Sequence, residues 1–231
     1  MQIQKKPIRV AVIDSGIDTT ISELDKNVSV STGFMINTNG YITEYPNIKT
    51  KYQHGTIVSL IIRHICSNVE FISINILNDN ISTDGRVLLY AMSRAFDYQP
   101  DIIHMSLGTT KWKYKRYIRK ITKEAGRQNI SLVAAVNNQG NISYPAYVKG
   151  VFGVKGDNFK DITHYSYRDD FFYAPLNAPE IQGCHGKDLK DAVGTSMSAA
   201  YITGHIANIR LNMGNLSIEK IKSILILNSI V

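Results

Sequence analysis

Apolar positions along the 231-residue chain follow two alternating patterns. Dense aliphatic and β-branched runs occur at Ile8–Ile13, Val69–Leu77, Asp101–Leu107, Ser131–Val136 and Val151–Val154. Such runs suit strands buried on both faces. Between them the spacing becomes helical. Thr56–Ile65 reads as a short apolar helix opened by His54-Gly55. Gly85–Asp97 puts Val87, Leu88, Ala91 and Ala95 on one face. Lys111–Arg127 does the same with Tyr114, Tyr117, Ile118, Ile121 and Ala125. Two further helices are predicted near the end. Thr195–Leu211 is rich in small residues (Ala199, Ala200, Gly204, Ala207), and Ser217–Asn228 carries Ile218, Ile221, Ile224 and Leu225 on one side. Strands alternating with helices predict an α/β fold, a three-layer sandwich with a mainly parallel central sheet flanked by helices. Ligands in such folds collect at the carboxyl ends of the strands. No linker, repeat or low-complexity stretch interrupts the pattern, so residues 1–231 read as a single domain.

Composition narrows the class. Hydrophobic residues make up 44% of the chain and charged ones 19%, which excludes disorder, collagen and coiled coil. There are 26 basic and 19 acidic residues, a net charge of +7 that suits an acidic partner but is ordinary for solubility. The two cysteines, Cys66 and Cys184, show no zinc spacing and no disulfide framework. Two free thiols in a reducing compartment are the simpler reading. Asp14 cuts the first apolar run short of signal-peptide length, and no stretch reaches the ~20 apolar residues of a membrane span. The expectation is a cytoplasmic protein with no membrane partner and no signal peptide or propeptide.

Three local patterns could carry chemistry. Asp14-Ser15-Gly16 follows a buried strand, His54-Gly55-Thr56 opens a helix, and Gly194-Thr195-Ser196-Met197-Ser198 opens another. Asp14 precedes His54 by 40 residues, and His54 precedes Ser196 by 142. An Asp at a strand end can orient a His and stabilise its imidazolium. A His at a helix start keeps its second nitrogen free. A Ser at a helix N-terminus sits near backbone N–H groups and the positive end of the helix dipole, which favours developing negative charge. Gly194 would allow a close backbone approach to substrate. Each pattern alone is common as a turn or a cap, so the order and context carry the weight.

These residues resemble the subtilisin-like serine proteases, a family in which the order Asp, His, Ser is known. Ile8–Asp18 is similar to the family's Asp block, His54–Val58 to its His block and Gly194–Ser198 to its Ser block. Met105-Ser106-Leu107-Gly108 resembles the strand that pairs with an extended peptide. Ala134-Ala135-Val136-Asn137-Asn138-Gln139-Gly140 resembles the segment that ends in the oxyanion-hole asparagine. The resemblance implies Ser196 as nucleophile, His54 as general base and then acid, Asp14 as its orienter, and Asn138 with the Ser196 N–H as oxyanion donors. It implies substrate binding by Ser106, Leu107, Gly108, Ala135, Val136 and Asn137. It also implies a cis bond at Tyr144-Pro145; no cofactor and no metal are expected.

Several positions depart from the family pattern. Ser59-Leu60 stand where Ala-Gly is usual, and Ala200 where proline is usual. Asn137 replaces a glycine and is expected to narrow the first specificity pocket or tilt Asn138. His104 stands where Asn is common and reads as a structural polar substitution. The helix after His54 runs straight into Val69, so the family's calcium-loop insertion is missing and no calcium is expected there. Lys111–Lys123 carries seven basic residues interleaved with aromatics. A solvated charged face is the simpler account of it, and no nucleic-acid partner is expected. Asp169-Asp170, Asp79 and Asp84 read as surface turns.

The leading functional reading is a serine endopeptidase acting on a peptide or protein substrate. Only 13 residues precede Asp14, fewer than a folding prosegment needs. An unmasked cytoplasmic protease requires narrow specificity or control. A dedicated processing protease that removes an acidic leader peptide would meet that requirement. Two alternatives stand beside it. One is a non-catalytic relative serving as a binding or regulatory module. The other is a nucleotide-binding α/β protein, for which no GxGxxG or GxxxxGK[ST] motif exists.

Overall fold

The computed structural model describes residues 5–46, 50, 52–78, 80–179 and 192–230. The predicted strands form β1 (Ile8–Asp14), β4 (Val69–Asn75), β5 (Ile102–Met105), β6 (Ser131–Ala135) and β7 (Val151–Asp157). Four more strands complete the sheet: β2 (Val28–Ile36), β3 (Ile42–Pro46), β8 (Ser166–Arg168) and β9 (Phe171–Pro175). Their order across the sheet is β3-β2-β4-β1-β5-β6-β7-β9-β8. Pairing is parallel throughout except for the edge pairs β2–β3 and β8–β9. The expected α/β sandwich is therefore present, with antiparallel edges that the sequence reading did not anticipate.

Alternation along each central strand divides the interior in two. Val10 and Val12 of β1 join one cluster, while Ala11 and Ile13 join the other. On the first face lie α1 (Ser22–Asp25), α2 (His54–Ile65), α5 (Thr195–Met213) and α6 (Ile218–Leu227). On the second lie α3 (Gly85–Arg94) and α4 (Lys115–Arg127). In α2, every residue from Gly55 to Ile62 is buried, which explains its apolar run. In α5, Ala199, Ala200 and Ala207 are fully buried, because small side chains let this helix lie close against α2 and the sheet. Truncating a core Ile such as Ile61 or Ile72 to Ala should cost about 2–5 kcal/mol.

Two helix predictions need correction. Lys111–Arg127 divides into a 3₁₀ turn (Trp112–Tyr114) and α4, and Tyr117 is 55% exposed rather than part of the buried stripe. Thr122 takes the buried position instead, its hydroxyl donating to the Ile118 carbonyl at 2.9 Å. Gly85–Asp97 likewise ends as α3 followed by a 3₁₀ turn (Ala95–Tyr98). Asp84 caps α3 by accepting from the Arg86 N–H, and Asp169 and Asp170 turn the chain between β8 and β9 with positive φ. Asp79 and Cys184 lie outside the described residues. Cys66 is buried, and burial pushes its thiol pKa up, as suits an unreactive packing residue.

The strand order reverses at β1. From there the chain builds β2–β4 on one side and β5–β9 on the other. A crevice opens at such a switch point, outside the carboxyl ends of the strands. Asp14 ends β1 there, and Ser106 follows β5 on the neighbouring strand.

Candidate active site

Asp14 is 1% exposed at the end of β1, and its Oδ1 lies 2.8 Å from His54 Nδ1. The same oxygen accepts the Ser15 N–H at 2.7 Å. His54 is the first residue of α2, and Ser15 ties that helix end to β1. The Ser15 Oγ accepts the Gly55 N–H at 3.1 Å and donates to the Tyr52 carbonyl at 3.1 Å. Gly55 is required for this approach. A Cβ there would sit 2.4 Å from the Gly16 carbonyl oxygen and 3.2 Å from Asp14 Cβ.

The charges follow from these contacts. Burial pushes the Asp14 carboxyl up, but His54 and the Ser15 N–H together outweigh it and hold the group below its ordinary value of 3.8. Attraction to Asp14 pushes the His54 imidazole above its ordinary 6.5, against the opposing effect of its own burial. Among the described residues, Asp14 Oδ2 has no hydrogen-bond partner.

Ser196 is 8% exposed in the first turn of α5. Its hydroxyl donates to the Ser106 carbonyl at 3.3 Å, and among the described residues no hydrogen bond joins it to His54. Gly194 precedes this helix with φ +143, and a Cβ on it would meet the Asn138 amide at 3.2 Å. The close approach that glycine allows here is therefore to Asn138. The Asn138 Oδ1 accepts the Thr195 N–H at 3.0 Å and shares with the Val136 carbonyl the single proton of the Thr195 hydroxyl, at 2.8 and 2.6 Å. This anchoring holds the amide beside the start of α5, and among the described residues its Nδ2 makes no hydrogen bond.

Two cavities meet at this point. One, of about 160 Å³, is lined by Ser106, Leu107, Gly108, Ala135, Val136 and Asn137 together with Asn138 and Ser196. The other, of about 560 Å³, is lined by Asp14 and His54 and by the apolar Ile57, Leu77 and Ile81. Ser106 and Leu107 line both. All ten residues singled out from the sequence thus border one continuous cleft.

The backbone of 106–108 is held from beyond its end. Thr109 and Tyr144 exchange two N–H···O bonds of 2.8 Å, and the Tyr144–Pro145 bond is cis. Among the described residues, the N–H and C=O groups of Leu107 and Gly108 make no hydrogen bonds, leaving an open edge for an extended chain. The Asn137 side chain lines the small cavity but turns back to accept the Gln139 N–H at 2.7 Å. The other departures are absorbed by packing. The Ser59 hydroxyl donates to the Gly55 carbonyl at 2.8 Å, and Leu60 and Ala200 are buried in the core. Only three residues separate α2 from β4, as the sequence indicated.

Several supporting residues escaped the sequence reading. Ser15 and Thr195 lie inside the quoted motifs, so their positions could have marked them. Ser143, which accepts the Asn137 N–H at 3.1 Å, and Leu77 and Ile81 on the larger cavity carry no local signal.

The subtilase family profile matches residues 5–229. The chain is 31% identical over 168 residues to the minor extracellular protease Epr of Bacillus subtilis (strain 168), a match covering 68% of this chain and 24% of that protein. It therefore spans about a quarter of that relative's length. It is 25% identical over 232 residues to the major intracellular serine protease of the same organism, covering 90% of this chain and 70% of that one. Among solved structures, the nisin leader peptidase NisP from Lactococcus lactis superposes with a TM-score of 0.77 at 19% identity, over 99% of this chain and 85% of that one. With its fold, its cleft and a profile match over nearly its whole length, the chain belongs to the subtilase family.

Proposed function

We propose that the chain is a serine endopeptidase that hydrolyses peptide bonds with Ser196 as nucleophile. The observation that carries this reading is the 2.8 Å Asp14–His54 pair, which opens onto the same cleft wall as Ser196. An extended peptide would pair with the open backbone of Leu107 and Gly108. As Ser196 Oγ attacks the scissile carbonyl carbon, His54 Nε2 takes its proton and Asp14 stabilises the resulting imidazolium. The Asn138 Nδ2–H and the Ser196 N–H hold the oxyanion, each such donor contributing ~10²–10³ in rate. The imidazolium then protonates the leaving amine. Water, deprotonated by His54, cleaves the acyl-enzyme ester and restores Ser196.

One observation favours a non-catalytic binding module: the Ser196 hydroxyl rests on the Ser106 carbonyl. A hydrogen bond of this kind contributes only about 1 kcal/mol, and rotation about the Cα–Cβ bond exchanges it for another. Catalytic hydrogen bonds are often long or absent before substrate binds. Labelling with a fluorophosphonate probe separates the two readings. The wild type should label and Ser196→Ala should not. Labelling that persists in the variant removes Ser196 from the role, and a folded wild type that does not label supports the binding module.

The finer reading is a dedicated processing protease, located in the cytoplasm, that removes an acidic leader peptide. It is supported by the +7 charge and by the likeness in fold to a leader peptidase. Among the described residues, no helix is long and apolar enough to cross a membrane. Cleavage profiling on a random peptide library tests the specificity. Cuts at many unrelated sequences would sink it.

A further inference from the structure

His104 is fully buried in the middle of β5, level with Val12 on one neighbouring strand and Val133 on the other. Both valines belong to the apolar cluster beneath α5, so an imidazole there is costly unless both nitrogens are satisfied. They are. Nδ1 lies 2.8 Å from the Thr203 Oγ1, and Nε2 lies 2.7 Å from the Ser106 Oγ.

The directions of these bonds can be assigned. The Thr203 hydroxyl donates its proton to the Ala199 carbonyl at 2.9 Å. It must therefore accept from His104, which fixes the proton on Nδ1. Nε2 is then an acceptor, and the Ser106 hydroxyl donates to it. Burial is the main reason the ring stays neutral, pulling its pKa down to about 4. The nearby Asp14 carboxylate opposes this shift and His54 reinforces it.

A closed circuit results. Thr203 and Ser196 both stand on α5, His104 and Ser106 both belong to the β5 exit, and Ser196 donates to the Ser106 carbonyl. Ser106 also lines both cavities. We propose that His104 is a positioning residue for the proteolytic reaction: its Nδ1–H tautomer clamps Ser106 to α5 and so fixes the substrate-pairing backbone relative to the nucleophile. This rests on the endopeptidase reading above. Misplacement of reacting groups by about 1 Å can cost ~10² in rate, so the effect falls on kcat while the rest of the cleft still binds substrate.

The test uses the full chain with His104→Leu, His104→Gln and Thr203→Val. His104→Leu should lower kcat by roughly ten- to a hundredfold with KM changed by less than about threefold. Thr203→Val should show the same split more weakly. His104→Gln, which can still donate to Thr203 and accept from Ser106, should recover most of the loss. A folded His104→Leu protein with wild-type kcat overturns the proposal, as does a loss that only follows the fraction of Ser196 reactive to a fluorophosphonate. If His104→Leu does not fold, Thr203→Val decides, and an unchanged kcat there overturns it. Nitrogen-15 NMR of the ring gives a readout independent of turnover. An Nδ1–H resonance is expected, and an Nε2–H tautomer overturns the clamp. Failure of the wild type to label with a fluorophosphonate would instead count against the endopeptidase reading, with the NMR result still reporting on the clamp.

Discussion

The hydroxyl of Ser196 donates to the backbone carbonyl of Ser106 at 3.3 Å, across the junction of the two cavities. The proposed nucleophile is thus held by the wall that would carry the substrate. A peptide that reached this carbonyl as well as the open backbone of Leu107 and Gly108 would compete for it and leave the hydroxyl able to turn towards His54. Ser196→Ala should therefore lower kcat by roughly 10⁶ while leaving the thermal midpoint almost unchanged, since it removes one weak bond. Steady-state kinetics and calorimetry on the same preparation check both halves.

The pH dependence should follow His54. Its pKa is raised above 6.5 by Asp14, and the general base must be neutral. kcat/KM should rise with pH through an inflection above 6.5, because that ratio reports the free enzyme. Asp14→Asn should move the inflection to lower pH and cut the plateau by roughly 10⁴. An inflection that does not move would show that another group controls the profile.

The same pair makes a stability prediction. The raised His54 pKa means that its contribution is complete below 6.5 and is lost as pH rises through the folded-state value. The lowered Asp14 pKa means that its contribution is present above 3.8 and is lost as pH falls through the folded-state value. Both are intact only between 3.8 and 6.5. The gap in thermal midpoint between wild type and Asp14→Asn should be larger near pH 5 than near pH 8. A gap of equal size at both would show that the ion pair adds nothing to folding.

Asn138→Ala should lower kcat by ~10²–10³ with little change in KM, because its Nδ2 donors act on charge that appears only in the transition state. Loss of the Thr195 contacts is a structural effect and should appear separately in the thermal midpoint.

Gly55→Ala should be damaging out of proportion to its size. The new methyl would meet the Gly16 carbonyl oxygen at 2.4 Å and the Asp14 Cβ at 3.2 Å, neither of them the far end of a flexible side chain that could yield. Reduced stability together with lower kcat is expected, as His54 is pushed from Asp14. Full activity at wild-type stability would contradict this account of the α2 entry.

Much of this architecture was legible in the sequence because the central strands are buried on both faces. Continuous runs such as Ile8–Ile13 and Ser131–Val136 admit few alternatives. The outer strand pairs β2–β3 and β8–β9 were not. Segments such as Val28–Ile36 mix Ser, Thr and Gly with apolar residues and show no clean period, since only Thr32, Gly33 and Phe34 at its centre are buried and the rest is partly buried or exposed. Tyr117 misled through periodicity alone, being apolar in spacing yet amphipathic enough to face water. The site was legible where a motif keeps chemistry and backbone turn together, as at Asp14-Ser15-Gly16. It was illegible where partners come from distant loops, as with Leu77 and Ile81. His104 was visible as an oddity, but its role depends on Thr203, 99 residues away.

The support of Ser196 is a long helix threaded through the interior, with Ala199, Ala200, Tyr201 and Ile202 wholly enclosed. The cleft walls, in contrast, are short connections that leave the sheet at Ser106–Gly108 and Asn137–Ser143. Variation in these connections that spares Ser106 and Asn138 would therefore reshape the proposed peptide cleft while leaving in place the enclosed helix that carries Ser196.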